Sequence, residues 1–214
     1  MSDPDIPAYD LLFVTGPTAT GKTALAVSVA DRLKGEIISA DSRQVYRGMD
    51  LGTGKDYSDY VIDGRTIPYH LIDIADPGYK YNVFAYQRDF LKVYNEFKER
   101  MVFPVVCGGS GMYIDSIISG YKMYEVSPDS DLRAQLEKKS MAELTEILST
   151  NKKLHNITDI DTKKRIIRAI EIERYNRSGK KKPVIGNMLV ALSHSEDHPP
   201  LVCQIPDREH DLAE

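Results

Sequence analysis

The sequence predicts an α/β protein: a three-layer parallel sheet with helices on both faces, and a small helical appendage toward the C-terminus. Three observations carry that reading. Four short apolar runs, "LLFVTG" (11–16), "EIISAD" (36–41), "YHLIDIADP" (69–77) and "FPVVCGGSG" (103–111), have the look of buried strands. Amphipathic stretches separate the first run from the second and the third from the fourth, as right-handed crossovers of a parallel sheet require. The first run also passes directly into "GPTATGKT" (16–23) and then a helical pattern, the arrangement of a P-loop NTPase-like core.

Taken in order, the first strand ends at Gly16, and "KTALAVSVADRL" (22–33) forms a helix. Ala24, Leu25, Val29 and Leu33 fall near helical spacing, and Gly35 is its stop. The second strand ends on Asp41, and the third is stopped by Pro77. "NVFAYQRDFLKVYNEFKERM" (82–101) sets Phe84, Phe90, Leu91, Tyr94 and Phe97 on or near one helical stripe. The fourth strand runs into a glycine turn. From about 129 the chain becomes a series of polar helices, "DSDLRAQLEKKS", "MAELTEILST" and "DTKKRIIRAIEIERYNRSG". "PPLVCQI" (199–205) supplies a last strand. The expected organisation is therefore an α/β core over 10–128, a helical segment over 129–183, and a return to the core with a tail over 184–214, with Pro128 near the first boundary.

Composition narrows the function classes. Hydrophobic residues make up 42% and charged residues 28%, an ordinary balance for a soluble domain. No apolar run approaches the roughly 20 residues that span a bilayer. The opening "MSDPDIPAYD" is acidic and has no apolar core, so it is not expected to be a signal peptide, and the expected location is the cytoplasm. Cys107 and Cys203 read as two buried thiols rather than a disulfide, and the five histidines show no metal-ligand spacing. A net charge of −4 disfavours nucleic-acid binding by the whole surface but allows a local basic patch. One exists: residues 163–182 hold nine Lys or Arg against two acids, Glu171 and Glu173. On a helix Lys164, Arg165 and Arg168 share one face, and Ile166, Ile167 and Ile170 the other. Such a face is either merely solvated or in contact with a phosphate backbone.

The candidate site starts from the loop. Gly16, Gly21, Lys22 and Thr23 match G-x-x-x-x-G-K-[ST]. The glycines let backbone N–H groups converge on phosphate oxygens, and the helix N-terminus adds its dipole. Lys22 supplies a point charge, and Thr23 a hydroxyl for Mg²⁺. The pattern leaves open whether the phosphates belong to ATP or to another diphosphate. Asp41, at the next strand end, can take a proton from a nucleophile, hold a metal's water, or simply cap a turn. Ser42, Arg43 and Gln44 follow it, and Gly48, Gly52 and Gly54 make the next stretch a tightly turned loop.

Five blocks in this order, "GPTATGKTALA", "ISADSRQVYRGMDLGTGK", "YHLIDIADP" with "YNVFAYQRDF", "GGSGMYI" and "DTKKRIIRAIEIERYNRSGK", resemble the tRNA dimethylallyltransferase (isopentenyltransferase) family over residues 10 to 183. The resemblance implies that the loop, Gly16, Pro17, Thr18, Ala19, Thr20, Gly21, Lys22 and Thr23, grips the diphosphate of dimethylallyl diphosphate, with Mg²⁺ at Thr23. It implies that Asp41 is the general base for N6 of an adenine beside the tRNA anticodon, at position 37. Thr18 and Ser110 would be hydroxyls lining the substrate channel, Ser110 standing where the family usually has threonine. The tRNA anticodon stem-loop would meet Asp41, Ser42, Arg43 and Gln44, then Arg133, and Lys164, Arg165, Ile166, Ile167 and Arg168. A monomer is expected. Family members continue past a "DRE"-like point into a further helical segment, whereas here "DRE" (207–209) precedes only "HDLAE", so part of the diphosphate clamp and tRNA grip is expected to be missing. Two alternatives stand beside this: a P-loop kinase of a small molecule, and a catalytically weakened paralogue that still binds tRNA.

Overall fold

The computed structural model describes residues 10–17, 19–121, 123–151, 161–178 and 201–204. They form two compact units, one running to Met123 and regained at the last strand, the other beginning at Tyr124.

The first unit is built on a five-stranded, wholly parallel sheet: β1 (Leu12–Thr15), β2 (Glu36–Ser39), β5 (Tyr69–His70), β6 (Pro104–Gly108) and β7 (Leu201–Gln204), in spatial order β5-β2-β6-β1-β7. Side chains alternate across it, as strand geometry dictates. Leu12, Val14, Ile37, Val105 and Cys107 pack on the face covered by α1 (Lys22–Leu33), with Ala26, Val27 and Ala30. Phe13, Ile38 and Val106 pack on the other face, against Phe90, Tyr94 and Phe97 of α2 (Val83–Arg100) and Ile114 and Ile117 of α3 (Gly111–Ile118). Three layers and a parallel sheet are what the apolar runs implied.

Several expectations about individual elements need correction. The α1 face that meets the sheet is Ala26, Val27 and Ala30, whereas Leu25 is exposed. Two small alanines let the helix lie close to the strands, and bulk at 25 and 33 was a misleading guide. Gly35 follows a left-handed Lys34, and a Cβ on it would stand 2.3 Å from the Phe103 carbonyl oxygen, so close approach rather than its own φ requires glycine. The third strand is not 69–77. Only Tyr69–His70 joins the sheet, because Leu71 and Asp73 adopt left-handed φ of 62° and 55° and turn the chain out of the ladder. Ala75 then makes a single parallel bridge to Tyr46. A small hairpin, β3 (Val61–Ile62) and β4 (Arg65–Thr66), was missed; its signal was Asp63-Gly64, both at positive φ.

The second unit packs α4 (Ser130–Leu136), α5 (Met141–Asn151) and α6 (Lys163–Arg177) around Leu132, Leu136, Leu144, Leu148, Ile166, Ile167 and Ile170. Each helix start is capped. Asp129 accepts from Leu132 N–H (2.9 Å), Thr162 from Arg165 N–H, and Ser140 and Glu143 form a reciprocal capping box. Among the described residues no helix is long and apolar enough to cross a membrane.

A buried carboxylate organises this unit. Glu171 is 3% exposed. It accepts two hydrogen bonds from Arg133 (both 2.7 Å), one from Arg168 Nη1 (3.2 Å) and one from the Asp129 backbone N–H (2.9 Å). Burial pushes its pKa up, but Arg133, the Asp129 N–H and Arg168 outweigh that and bring it down to about 2 from 4.5. A depressed carboxylate pKa means stability that is present above pH 4.5 and lost as pH falls toward 2. The folding free-energy gap between the wild type and Glu171→Gln is therefore expected to be about 3 kcal/mol at pH 6 and to close by pH 2. Urea unfolding at the two pH values measures it; a gap that does not narrow would contradict the ion-pair account.

Candidate active site at the carboxyl ends of the strands

In an open parallel sheet, ligands bind beyond the carboxyl ends of the strands. Here the loop after β1, the turn after β2 and the glycine turn after β6 meet at that edge. The loop backbone is set by Ala19 and Gly21 at φ of 64° and 83°. No side chain caps α1, so its first-turn N–H groups stay available to an anion. Thr20 Oγ1 donates to the Pro17 carbonyl (2.9 Å), as does Lys22 Nζ (2.5 Å). Thr18 lies outside the described residues.

The turns after β2 and β6 are fastened to one another. A Cβ on Gly108 would stand 2.3 Å from the Ala40 carbonyl, so only glycine admits this approach. Ser110 N–H donates to the Ala40 carbonyl (3.0 Å), and Ser110 Oγ accepts from Ser42 N–H (2.8 Å). Ser110 therefore anchors the Asp41 turn. Asp41 Oδ1 accepts the Arg43 N–H at 2.8 Å and lies 3.9 Å from Arg43 Nε. The capping reading of Asp41 is thus true of one oxygen, and both contacts leave Oδ2 for other chemistry.

Lys22, Thr23, Asp41 and Arg43 line one cavity of about 360 Å³. Its remaining lining includes Thr53, Gly54, Asp56, Asp59, Tyr60 and Cys107. Cys107 belongs to β6, whereas sequence reasoning missed the wall of Thr53, Gly54, Asp56, Asp59 and Tyr60, which comes from the glycine-spaced loop and the short 3-10 turn Tyr57–Tyr60. Burial, and then the charge of Asp56, push the Asp59 pKa up. Burial pushes the Cys107 thiol up to about 11, with the hydrogen-bonded Thr23 hydroxyl and the Lys22 charge pulling the other way, so it is a neutral wall group and not a nucleophile. No cluster of three metal-ligating side chains occurs among the described residues. The cavity lining does offer oxygen donors, the Thr23 hydroxyl and the carboxylates of Asp41, Asp56 and Asp59, the ligand type that Mg²⁺ takes.

Other expected contact residues have partners within the protein. Gln44 is buried in the cavity wall: its Oε1 accepts from Ser39 Oγ (3.0 Å) and its Nε2 donates to the Gly54 carbonyl (3.0 Å), which fixes the amide and leaves it one further N–H. Ile166 and Ile167 are core residues of the helical unit, because the 3.6-residue period turns them inward. Arg133 and Arg168 are engaged by Glu171, and Arg168 Nη2 also donates to the Val126 carbonyl (2.8 Å). Ser42, Arg43, Lys164 and Arg165 remain exposed, Arg165 paired with Asp161 at 3.0 Å.

Comparison with known proteins agrees with this architecture. The sequence profile described as "IPP transferase" matches residues 44–210, and "Isopentenyl transferase" matches residues 9–69. A tRNA dimethylallyltransferase 2 of Bacteroides fragilis is 62% identical over 170 residues, covering 79% of this chain and 56% of the relative. A tRNA dimethylallyltransferase 1 of Parabacteroides distasonis is 55% identical over 171 residues, covering 80% and 56%. The chain thus spans little more than half the length of these relatives. Among solved structures, the full-length tRNA isopentenylpyrophosphate transferase of Bacillus halodurans aligns with a TM-score of 0.51 at 36% identity, over 77% of this chain and 55% of that one. A eukaryotic dimethylallyltransferase acting on tRNA aligns with a TM-score of 0.69 over 94% of this chain and 49% of that one; at 16% identity it speaks for the fold alone. This chain belongs to the IPP transferase family.

Proposed function

We propose that this chain transfers the dimethylallyl group of dimethylallyl diphosphate to N6 of adenine 37 in the anticodon stem-loop of tRNA. The observation that carries the reading is that Asp41 and the phosphate-loop groups Lys22 and Thr23 line a single cavity. The N6 nitrogen attacks the allylic C1, the C1–O bond breaks, pyrophosphate leaves, and the N6 proton passes to Asp41 Oδ2. Loop N–H groups and Lys22 bear the charge that develops on the leaving oxygen. Thr23 would hold Mg²⁺, which when bound neutralises further diphosphate charge. Asp41 is oriented by the Arg43 N–H, and Ser110 holds that turn in register. An adenine in an RNA loop can leave its stack to reach such a cavity.

Thermal unfolding with separate ligands distinguishes this from a kinase. Dimethylallyl diphosphate with Mg²⁺ is expected to raise the melting temperature more than ATP with Mg²⁺ at equal concentration. Stronger protection by ATP would favour phosphoryl transfer. On the helical unit, Lys164→Ala with Arg165→Ala is expected to weaken tRNA binding and to lower the salt-dependence slope by about 1–2. Arg168 is left out because it bonds Glu171. An unaltered slope would mean that these two cations do not meet the phosphate backbone.

A further inference from the structure

Lys55 is a charged residue that the chemistry above does not use. Its side chain is 0% exposed. Its ammonium donates to the Tyr46 carbonyl (2.5 Å), Asp73 Oδ1 (2.5 Å) and Asp50 Oδ1 (3.3 Å), which uses all three protons. These acceptors come from the start of the glycine-spaced loop, its tip, and the turn after β5. Asp73 is held in turn by the Tyr57 hydroxyl.

The loop needs such a fastening. Between Arg47 and Asp56 it contains no strand or helix, and Gly48, Gly52 and Gly54 all take positive φ. At its tip Leu51 is almost fully exposed, so no apolar contact secures it there. Yet Thr53, Gly54 and Asp56, the chain neighbours of Lys55, line the cavity. An apolar side chain could fill the space of Lys55 but could not fix three acceptors at once. Lysine is seldom fully buried without partners, and burying its charge is costly, so this arrangement has a directional purpose.

We propose that Lys55 is a positioning residue that sets the width of the diphosphate cavity by tying its second wall, Thr53 to Asp56, to Tyr46, Asp50 and the turn after β5 at Asp73. The inference rests on the reading of this cavity as a diphosphate site. Lys55 does not itself line the cavity, so it acts through its neighbours.

The test uses Lys55→Met and Asp50→Ala in the full chain, with two measurements. One is calorimetric binding of inorganic pyrophosphate with Mg²⁺; the other is the separation of KM for dimethylallyl diphosphate from kcat. Lys55→Met is expected to raise both the pyrophosphate Kd and KM about tenfold while kcat changes by less than about threefold. Asp50→Ala, which removes the acceptor, should move both in the same direction by less, because its bond to Lys55 is the longest of the three. Partial unfolding would lower the active fraction, hence kcat, and leave KM and Kd unmoved. Unchanged KM and Kd in both variants overturn the proposal, whatever happens to kcat. Should Lys55→Met not fold, Asp50→Ala decides alone. A wild-type chain that binds no pyrophosphate would sink the diphosphate reading itself, a result separable from failure of the variants.

Discussion

Asparagine in place of Asp41 is expected to lower prenyl transfer by about 10²- to 10⁴-fold, the range ordinarily supplied by a positioned general base. The fold should be unaffected. Asn keeps the side-chain oxygen that accepts the Arg43 N–H, so the turn survives. Pyrophosphate affinity should hold or rise slightly, since a negative charge leaves a cavity that must receive an anion. What disappears is a group able to take the N6 proton. Rates from single turnovers with saturating tRNA measure the chemical step directly. Wild-type rates in Asp41→Asn would reduce Asp41 to the capping role of its Oδ1.

Alanine at Lys22 is the second large effect, and it falls on binding. Lys22 and Arg43 are the cationic side chains of the cavity, set against Asp41, Asp56 and Asp59. The lining therefore carries more negative than positive groups, and each cation matters. Removing a charge-assisted hydrogen bond to a phosphate costs about 1.5–3 kcal/mol, so pyrophosphate affinity should fall roughly 10- to 100-fold. Lys22 Nζ lies on the Pro17 carbonyl, a bond it can exchange for a phosphate oxygen by rotation of its flexible stem. Calorimetry on the variant gives the number, and an unchanged Kd would assign the anion grip to backbone groups alone.

The parts of the site that were legible in the sequence are those fixed by local chemistry. The phosphate loop is specified by glycine spacing between a strand and a helix, all within a dozen residues. Asp41 was legible because a strand end in a parallel sheet faces the ligand edge. Groups held by a partner distant in the chain were less legible. Arg133 and Arg168 looked like free cations, yet Glu171 holds both, and it lies 38 residues from Arg133 in the chain. For Gln44, nothing local reveals that Ser39 and Gly54 hold its amide in the cavity wall. Nothing local marks Lys55, since one of its acceptors, Asp73, comes within reach only where the chain leaves β5 in a left-handed turn at Leu71 and Asp73. On α1, Ala24, Leu25, Val29 and Leu33 fall near helical spacing, but the residues buried against the sheet are Ala26, Val27 and Ala30, with Val29 partly buried beside them.

The most direct measurement is incubation of the chain with labelled dimethylallyl diphosphate, Mg²⁺ and unmodified tRNA, followed by digestion and nucleoside analysis. The account predicts label on N6 of a single adenosine next to the anticodon, with one pyrophosphate released per transfer, and loss of both in Asp41→Asn. Release of pyrophosphate without labelled nucleoside, or no turnover with tRNA and wild-type protein, would contradict it.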